Sequence, residues 1–233
     1  MSNLIIVSIL VFIVAVTMTM VGKGGGNFYV VILAMANIPM HEAATTGQFI
    51  LFTASIAAMF VFHKNKSVQW TLAILIGAFT ALSALGGGYF SHLFSSFSLK
   101  LIFAVMLFIT GIIMLIPVSE NKGNKANKYF GSISIKSGEE TYSVNLWIAL
   151  PIAILTGFDS GMVGVSRGSF LVPLMVLACG VSMHTAVGTA STLIAATAFM
   201  GFTGHAIQGD FSPYYAIPLA FVTVIGGILG GKF

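Results

Sequence analysis

The sequence predicts an all-α polytopic membrane protein, a helical bundle of two pseudo-symmetric halves with broken short helices. Three observations carry that prediction. Only 7% of the residues are charged while 57% are hydrophobic. The apolar residues fall into runs of membrane-spanning length, separated by short polar gaps. Two further apolar runs are too short to span, and each follows a break at a matching place in the chain.

A soluble domain carries roughly 25% charged residues. A water-facing surface cannot be built from so few, and a mean hydropathy of +1.01 agrees. The chain must face the lipid bilayer over most of its surface, as a multi-pass protein of the plasma membrane. The formal charge of +4 and pI of about 9.3 do not indicate nucleic acid. The lysines cluster in polar gaps between apolar runs, the pattern of cytoplasmic loops. The lone cysteine, Cys179, excludes an intramolecular disulfide and any zinc site with more than one Cys ligand. Inside an apolar run it reads as a small packing residue.

Leu4–Val21 is long enough to span. No Lys or Arg precedes it and no clear small-x-small cleavage site follows, so it is expected to be the first membrane helix, kept in the mature protein. The glycine-rich break Gly22-Lys23-Gly24-Gly25-Gly26 comes next, then the short run Phe28–Ile38, closed by Pro39. At about 1.5 Å per residue such a run reaches roughly half of a hydrocarbon core, so a half-helix or re-entrant segment is expected. Ala43–Phe62 spans, and a basic gap with Lys64 and Lys66 follows. Val68–Leu85 spans and ends in Gly86-Gly87-Gly88, Ser91–Ser98 is a polar turn, and Leu99–Pro117 spans.

Residues 119–143 form the only long hydrophilic stretch, with Lys122, Lys125, Lys128 and Lys136. A short hairpin is expected in Phe130–Tyr142. The stretch divides the chain into a first repeat over 1–118, a cytoplasmic linker over 119–143 and a second repeat over 144–233. In the second repeat Val144–Phe158 spans, Asp159–Arg167 is a polar break, and Gly168–Gly180 is the second short run. Thr185–Gly204 and Pro213–Gly230 span. Nothing matches Leu99–Pro117, so either the chain is truncated or the natural protein does without that last helix.

The halves resemble each other residue by residue. Gly22–Val30 aligns with Gly164–Val172, Met40-His41 with Met183-His184, Thr46 with Thr189, and Gly86-Gly87 with Gly230-Gly231. Counting the short run as a crossing, five segments per half invert the second copy, and re-entrant short runs make the copies parallel instead. Charge favours inversion: the gap with Lys64 and Lys66 matches a gap that holds Asp210 and no Lys or Arg.

Backbone in lipid must satisfy its own hydrogen bonds, so a break survives only beside a cavity or inside protein. Broken segments at matching places of two halves point to a transporter's binding site. Each short helix that follows a break offers free N–H groups and a dipole that favour an anion. Each break also carries a cation, Lys23 in the first and Arg167 in the second, at a depth where a charge costs at least about 2.5 kcal/mol. The substrate-binding set predicted for a small anion is Gly22, Lys23, Gly24, Gly25, Gly26, Asn27, Thr46, Ser166, Arg167, Gly168, Ser169 and Thr189. Plainer readings stand beside this one. Lys23 snorkels to the interface, Arg167 pairs with Asp159, and the glycines serve helix packing. His41, His184 and Asp159 are candidates for ion coupling, with the histidines otherwise reading as interfacial caps.

No Walker loop, zinc spacing or nucleophile elbow occurs. No cofactor, metal or ATP drive is therefore expected, and a membrane-embedded enzyme or a cation carrier is the weaker alternative to a secondary transporter. The oligomeric state is open and admits a homo-oligomer.

The two breaks and their downstream segments resemble the TauE/SafE family of sulfite and organosulfonate exporters, whose doubled motif resembles G-x-G-G-G-x-x-x-V-P followed by A-x-G-T-S. The first copy here reads Gly22-Lys23-Gly24-Gly25-Gly26 with Val30-Val31 at the Val-Pro position, then Ala44-Thr45-Thr46-Gly47. The second reads Gly164-Val165-Ser166-Arg167-Gly168, then Val172-Pro173 and Ala186-Val187-Gly188-Thr189-Ala190-Ser191. The resemblance implies a secondary transporter that exports sulfite, sulfonates or a similar small anion.

Overall fold

A computed structural model describes residues 2–21, 24–115, 132–137, 140–166, 168–179 and 181–232. The chain is an all-α polytopic bundle. Its helices are α1 (Ser2–Met20), α2 (Gly26–Met35), α3 (Met40–Lys64), α4 (Trp70–Phe90), α5 (Ser96–Leu115), α6 (Leu146–Val163), α7 (Gly168–Cys179), α8 (Met183–Ile207) and α9 (Pro213–Lys232). Among the described residues, five helices are long and apolar enough to cross a membrane: α3, α4, α6, α8 and α9. Helices α2 and α7 are the two short runs, at 10 and 12 residues. The hydrophilic stretch contains the expected hairpin, with β1 (Ser132–Ser137) antiparallel to β2 (Glu140–Asn145).

Two boundaries differ from the sequence reading. Helix α4 does not stop at the glycine triplet but runs through it to Phe90. Its glycines are packing surfaces: Gly87 lies against Phe158 and Met162 of α6, and Gly88 against Gly201 and Gly204 of α8. Helix α6 likewise runs past Asp159 to Val163, so the second break begins only at Gly164. A polar residue in the last turn of an apolar helix imitates a helix end when hydropathy alone is read.

The contacts fix the relative directions of six helices. In α9, Gly226 meets Ala15 and Gly230 meets Val16 and Thr19, so α1 and α9 run the same way. Gly227 meets Ala54 and Gly231 meets Val61, so α3 shares that direction. On the other side Gly157 meets Ser83 and Gly161 meets Ala84, while Gly77 meets Leu193 and Gly204 meets Leu85. Helices α4, α6 and α8 therefore run together. Two such groups of three, α1–α3–α9 and α4–α6–α8, meet along α3 and α8. There Phe49 stacks on Phe202 and Phe52 on Phe199, each pair 5.1 Å apart, with residue order reversed between the helices. Helices α3 and α8 are thus antiparallel. One end of the bundle collects Lys64, Ser67, His184 and Lys232, and the other collects His41, Ser91, His205 and Asp210.

Candidate functional site

The two breaks meet near the middle of the bundle. The first turns through Gly24 (φ +74°) and Gly25 (φ +69°) before α2 starts, a left-handed conformation that glycine adopts without the Cβ penalty. The second leaves α6 through Gly164 (φ +76°). A Cβ on Gly24 would stand 2.8 Å from Ser166 Oγ, and one on Gly26 would stand 2.9 Å from Ser166 N. Side chains are excluded on one break because the other occupies the space. The backbone N–H of Ser166 donates to Asn27 Oδ1 at 2.7 Å. Asn27 and Ser166 are both buried. Leu51 and Ile194, near the midpoints of α3 and α8, also line Gly24.

Around this junction the interior is polar. Ser160 in the last turn of α6 donates its hydroxyl to Val165 O, which holds the turn after Gly164 closed. Gln48 of α3 is fully buried, and its Nε2 donates to Ser160 O at 2.5 Å. Its Oε1 is buried without a hydrogen-bond partner among the described residues, as is Thr46 Oγ1. Buried polar atoms without partners are uncommon and costly. Gln48 combines such an atom with a bond to the edge of the second break, whereas Thr46, two residues earlier, lies about 200° away around α3.

The structure brings only some of the predicted site residues together. Gly24, Gly25, Gly26, Asn27 and Ser166 meet at the junction. Gly168 and Ser169 open α7 just beyond. Gly22, Lys23 and Arg167 lie outside the described residues. Thr46 and Thr189 do not join the junction directly, and Thr189 Oγ1 accepts the backbone N–H of Gln69 at 2.9 Å, at the lysine end. His184 Nε2 is 3.1 Å from Ser67 Oγ at that same end, and His41 Nδ1 is 3.9 Å from Asp210 Oδ2 at the opposite end. The two histidines are therefore far from each other. Asp159 sits inside α6 rather than in the break.

Two residues escaped the sequence reading. Gln48 lies one turn beyond the Thr45-Thr46 pair and reads as just another polar residue at a helix start. His205, fully buried near the end of α8, binds Gly161 O through Nε2 at 2.8 Å and Ser91 Oγ through Nδ1 at 3.1 Å. A carbonyl only accepts, so Nε2 carries a proton. The signal available was a histidine at the edge of an apolar span, which if buried in a membrane helix has to find polar partners. Among the described residues no cluster of three or more His, Cys, Asp or Glu side chains is placed to hold a metal ion. A groove of about 720 Å³ between α3 and α9, lined by Phe60, Lys64, Ile228 and Lys232 among others, lies at the lysine end and away from the junction.

The sequence profile described as sulfite exporter TauE/SafE matches residues 7–233. The chain is 24% identical over 238 residues to the probable membrane transporter protein YunE of Bacillus subtilis (strain 168), covering 98% of this chain and 87% of that protein. It is 23% identical to the probable membrane transporter protein YdhB of the same strain, over 98% of this chain and 89% of that protein. It is 25% identical to the probable membrane transporter protein MJ0441 of Methanocaldococcus jannaschii, over 95% of this chain and 81% of that protein. No solved structure matches the chain significantly. With the broken helices, the apolar spans and the profile covering nearly every residue, the chain belongs to the sulfite exporter TauE/SafE family and is a multi-pass membrane transporter of that type.

Proposed function

We propose that this protein is a secondary transporter that exports small anions, sulfite or organosulfonates foremost, by alternating access. The observation that carries the reading is the meeting of the two glycine breaks, joined by the Ser166–Asn27 hydrogen bond, near the middle of α3 and α8. Two short helices start from one place, so their N–H groups and dipoles favour the same negative guest. Lys23 and Arg167, one residue before Gly24 and one after Ser166, supply the charge.

The packing supports two inverted halves. A constant shift carries Met40 to Met183, Thr46 to Thr189, Gly87 to Gly230 and Gly88 to Gly231, one residue later than the Gly86-Gly87 pairing read from the sequence. Gly87 faces the α6 backbone at Phe158 and Gly88 faces α8, while Gly230 faces the α1 backbone at Val16 and Gly231 faces α3. Helices α1, α3 and α9 oppose α6, α8 and α4 in direction, as inverted copies require. Lys64, Lys66 and Lys232 then share one end, which makes that end cytoplasmic.

The test is a panel of sulfite, sulfoacetate, taurine, thiosulfate and sulfate in thermal-shift measurements, followed by flux in proteoliposomes. At least one sulfur oxyanion should stabilise the protein and be transported. Arg167→Ala should abolish flux while the protein stays folded. Full flux in that variant removes Arg167 from the site, and no shift and no flux with any of the five overturns the anion reading.

A further inference from the structure

Matched places in the two halves are not in the same state, and the difference falls on one pair of titratable side chains. At the lysine end, the start of α8 is fastened to the turn between α3 and α4. His184 Nε2 lies 3.1 Å from Ser67 Oγ, and Thr189 Oγ1 accepts from Gln69 N at 2.9 Å. The shift that relates the halves carries these four residues to His41, Asp210, Thr46 and Ser212, at the start of α3 and the turn between α8 and α9. There the fastening is incomplete. His41 Nδ1 and Asp210 Oδ2 are 3.9 Å apart, beyond hydrogen-bond reach. Both atoms are buried, and neither has a hydrogen-bond partner among the described residues. Thr46 Oγ1, the counterpart of the satisfied Thr189, is unpartnered there too.

We propose that His41 and Asp210 form a proton-binding site that closes the end of the bundle opposite the lysines, while His184 and Ser67 form a fastening at the lysine end that no proton governs. For its purpose the site rests on the transport reading above. The chemistry comes from the partners. A protonated His41 and an ionised Asp210 attract each other in partly desolvated surroundings, and closing the remaining gap gives a charge-assisted hydrogen bond. Loss of the proton removes that attraction. His184 faces a hydroxyl, which stays neutral and can give or take the hydrogen bond whichever state the imidazole adopts.

The same end holds an aromatic cluster beside the pair. Phe211, next to Asp210, packs on Phe49 of α3 and Phe202 of α8 at 5.4 and 5.1 Å, and Phe49 and Phe202 touch at 5.1 Å. Drawing Asp210 toward His41 draws Phe211 onto α3. Among the described residues, the other titratable side chains at this end include Glu42 on α3, Asp159 on α6, His205 on α8, and Tyr214 and Tyr215 on α9. His92 and Lys100 share that end of the bundle.

The experiment reads accessibility rather than transport. In a Cys179→Ala background, Ala44→Cys places a thiol one turn inside the pair, and Ser95→Cys gives an exposed reference on the same end. Both are labelled with a charged thiol reagent in nanodiscs, which leave both faces open. Going from about pH 8 to about pH 5.5, labelling of Ala44→Cys relative to Ser95→Cys should fall several-fold. Asp210→Ser and the size-conserving Asp210→Asn should both abolish that fall. Ser67→Asp should create a similar pH dependence at the lysine end for Val187→Cys, the counterpart of Ala44. Labelling that ignores pH in the parent, or a pH response that survives both Asp210 variants, overturns the proposal. A protein that closes as described yet moves none of the five anions keeps the proton site and loses the anion reading.

Discussion

The three consecutive glycines of α4 allow a test in which neighbouring substitutions should act in opposite directions. A Cβ on Gly87 would lie 2.8 Å from the carbonyl carbon of Phe158 and 2.9 Å from Met162 N, both on the backbone of α6. Relaxed contacts between such atoms are about 3.5 Å or longer. Helices α4 and α6 must therefore separate by roughly 0.6 Å or more, and no rotamer change can relieve it because the obstructing atoms are main chain. Overpacking of this kind costs about 1–3 kcal/mol. Gly86 faces another way, and its nearest foreign atom is Phe158 Cδ2 at 4.0 Å, an ordinary contact. Gly86→Ala should gain up to about 1 kcal/mol of helix propensity instead. Thermal unfolding of the detergent-solubilised protein should place Gly87→Ala several degrees below the parent and Gly86→Ala at or above it, since 1 kcal/mol moves a chain of this size by about 2–4 °C. If Gly87→Ala is as stable as the parent, or Gly86→Ala is the more damaging of the two, the packing of α4 on α6 is misassigned.

Two further outcomes are expected. Cysteines placed at residues 64 and 210 should be labelled from opposite faces of the membrane, with residue 64 on the cytoplasmic side, and labelling of both from one face removes the inverted arrangement. Gln48→Leu should remove the hydrogen bond to Ser160 O, which then keeps only the backbone N–H of Gly164, lowering stability by about 0.5–1.5 kcal/mol in the same unfolding assay. No loss of stability would show that Gln48 does not hold the second break.

Much of the architecture was legible because hydrophobicity in a membrane is close to binary. The two short helices, the long spans and the hairpin all fall within a few residues of where the apolar runs and the hydrophilic stretch place them. Errors came where polarity and backbone break part company. Glycines are weak helix formers in water, so the Gly86–Gly88 triplet read as an ending, yet helices α6 and α8 press on it and favour residues without side chains. Asp159 read as part of a break although α6 continues to Val163. That the two glycine breaks, with Asn27 and Ser166, correspond to each other was legible through the doubled pattern, which needs no three-dimensional information. Gln48, His205 and the partnership of His41 with Asp210 were not, because each depends on which distant segment lies opposite. Asp210 and His41 are separated by most of the chain, and Asp210 alone reads as an ordinary acid before a helix.

The glycine contacts have a mechanical meaning. Inside each group of three helices, backbone lies directly on backbone, as where Gly161 meets Ala84, Gly204 meets Leu85 and Gly227 meets Ala54. Main chain pressed on main chain has no slack, so each trio is expected to travel as one block. Between the trios the seam of α3 and α8 carries Phe49, Phe52, Phe199 and Phe202, rings that can re-stack after a small slide. Any rocking that exposes the glycine junction first to one side of the membrane and then to the other is therefore expected to pivot on aromatic bearings, with the stiffness of the machine stored in residues that have no side chain at all.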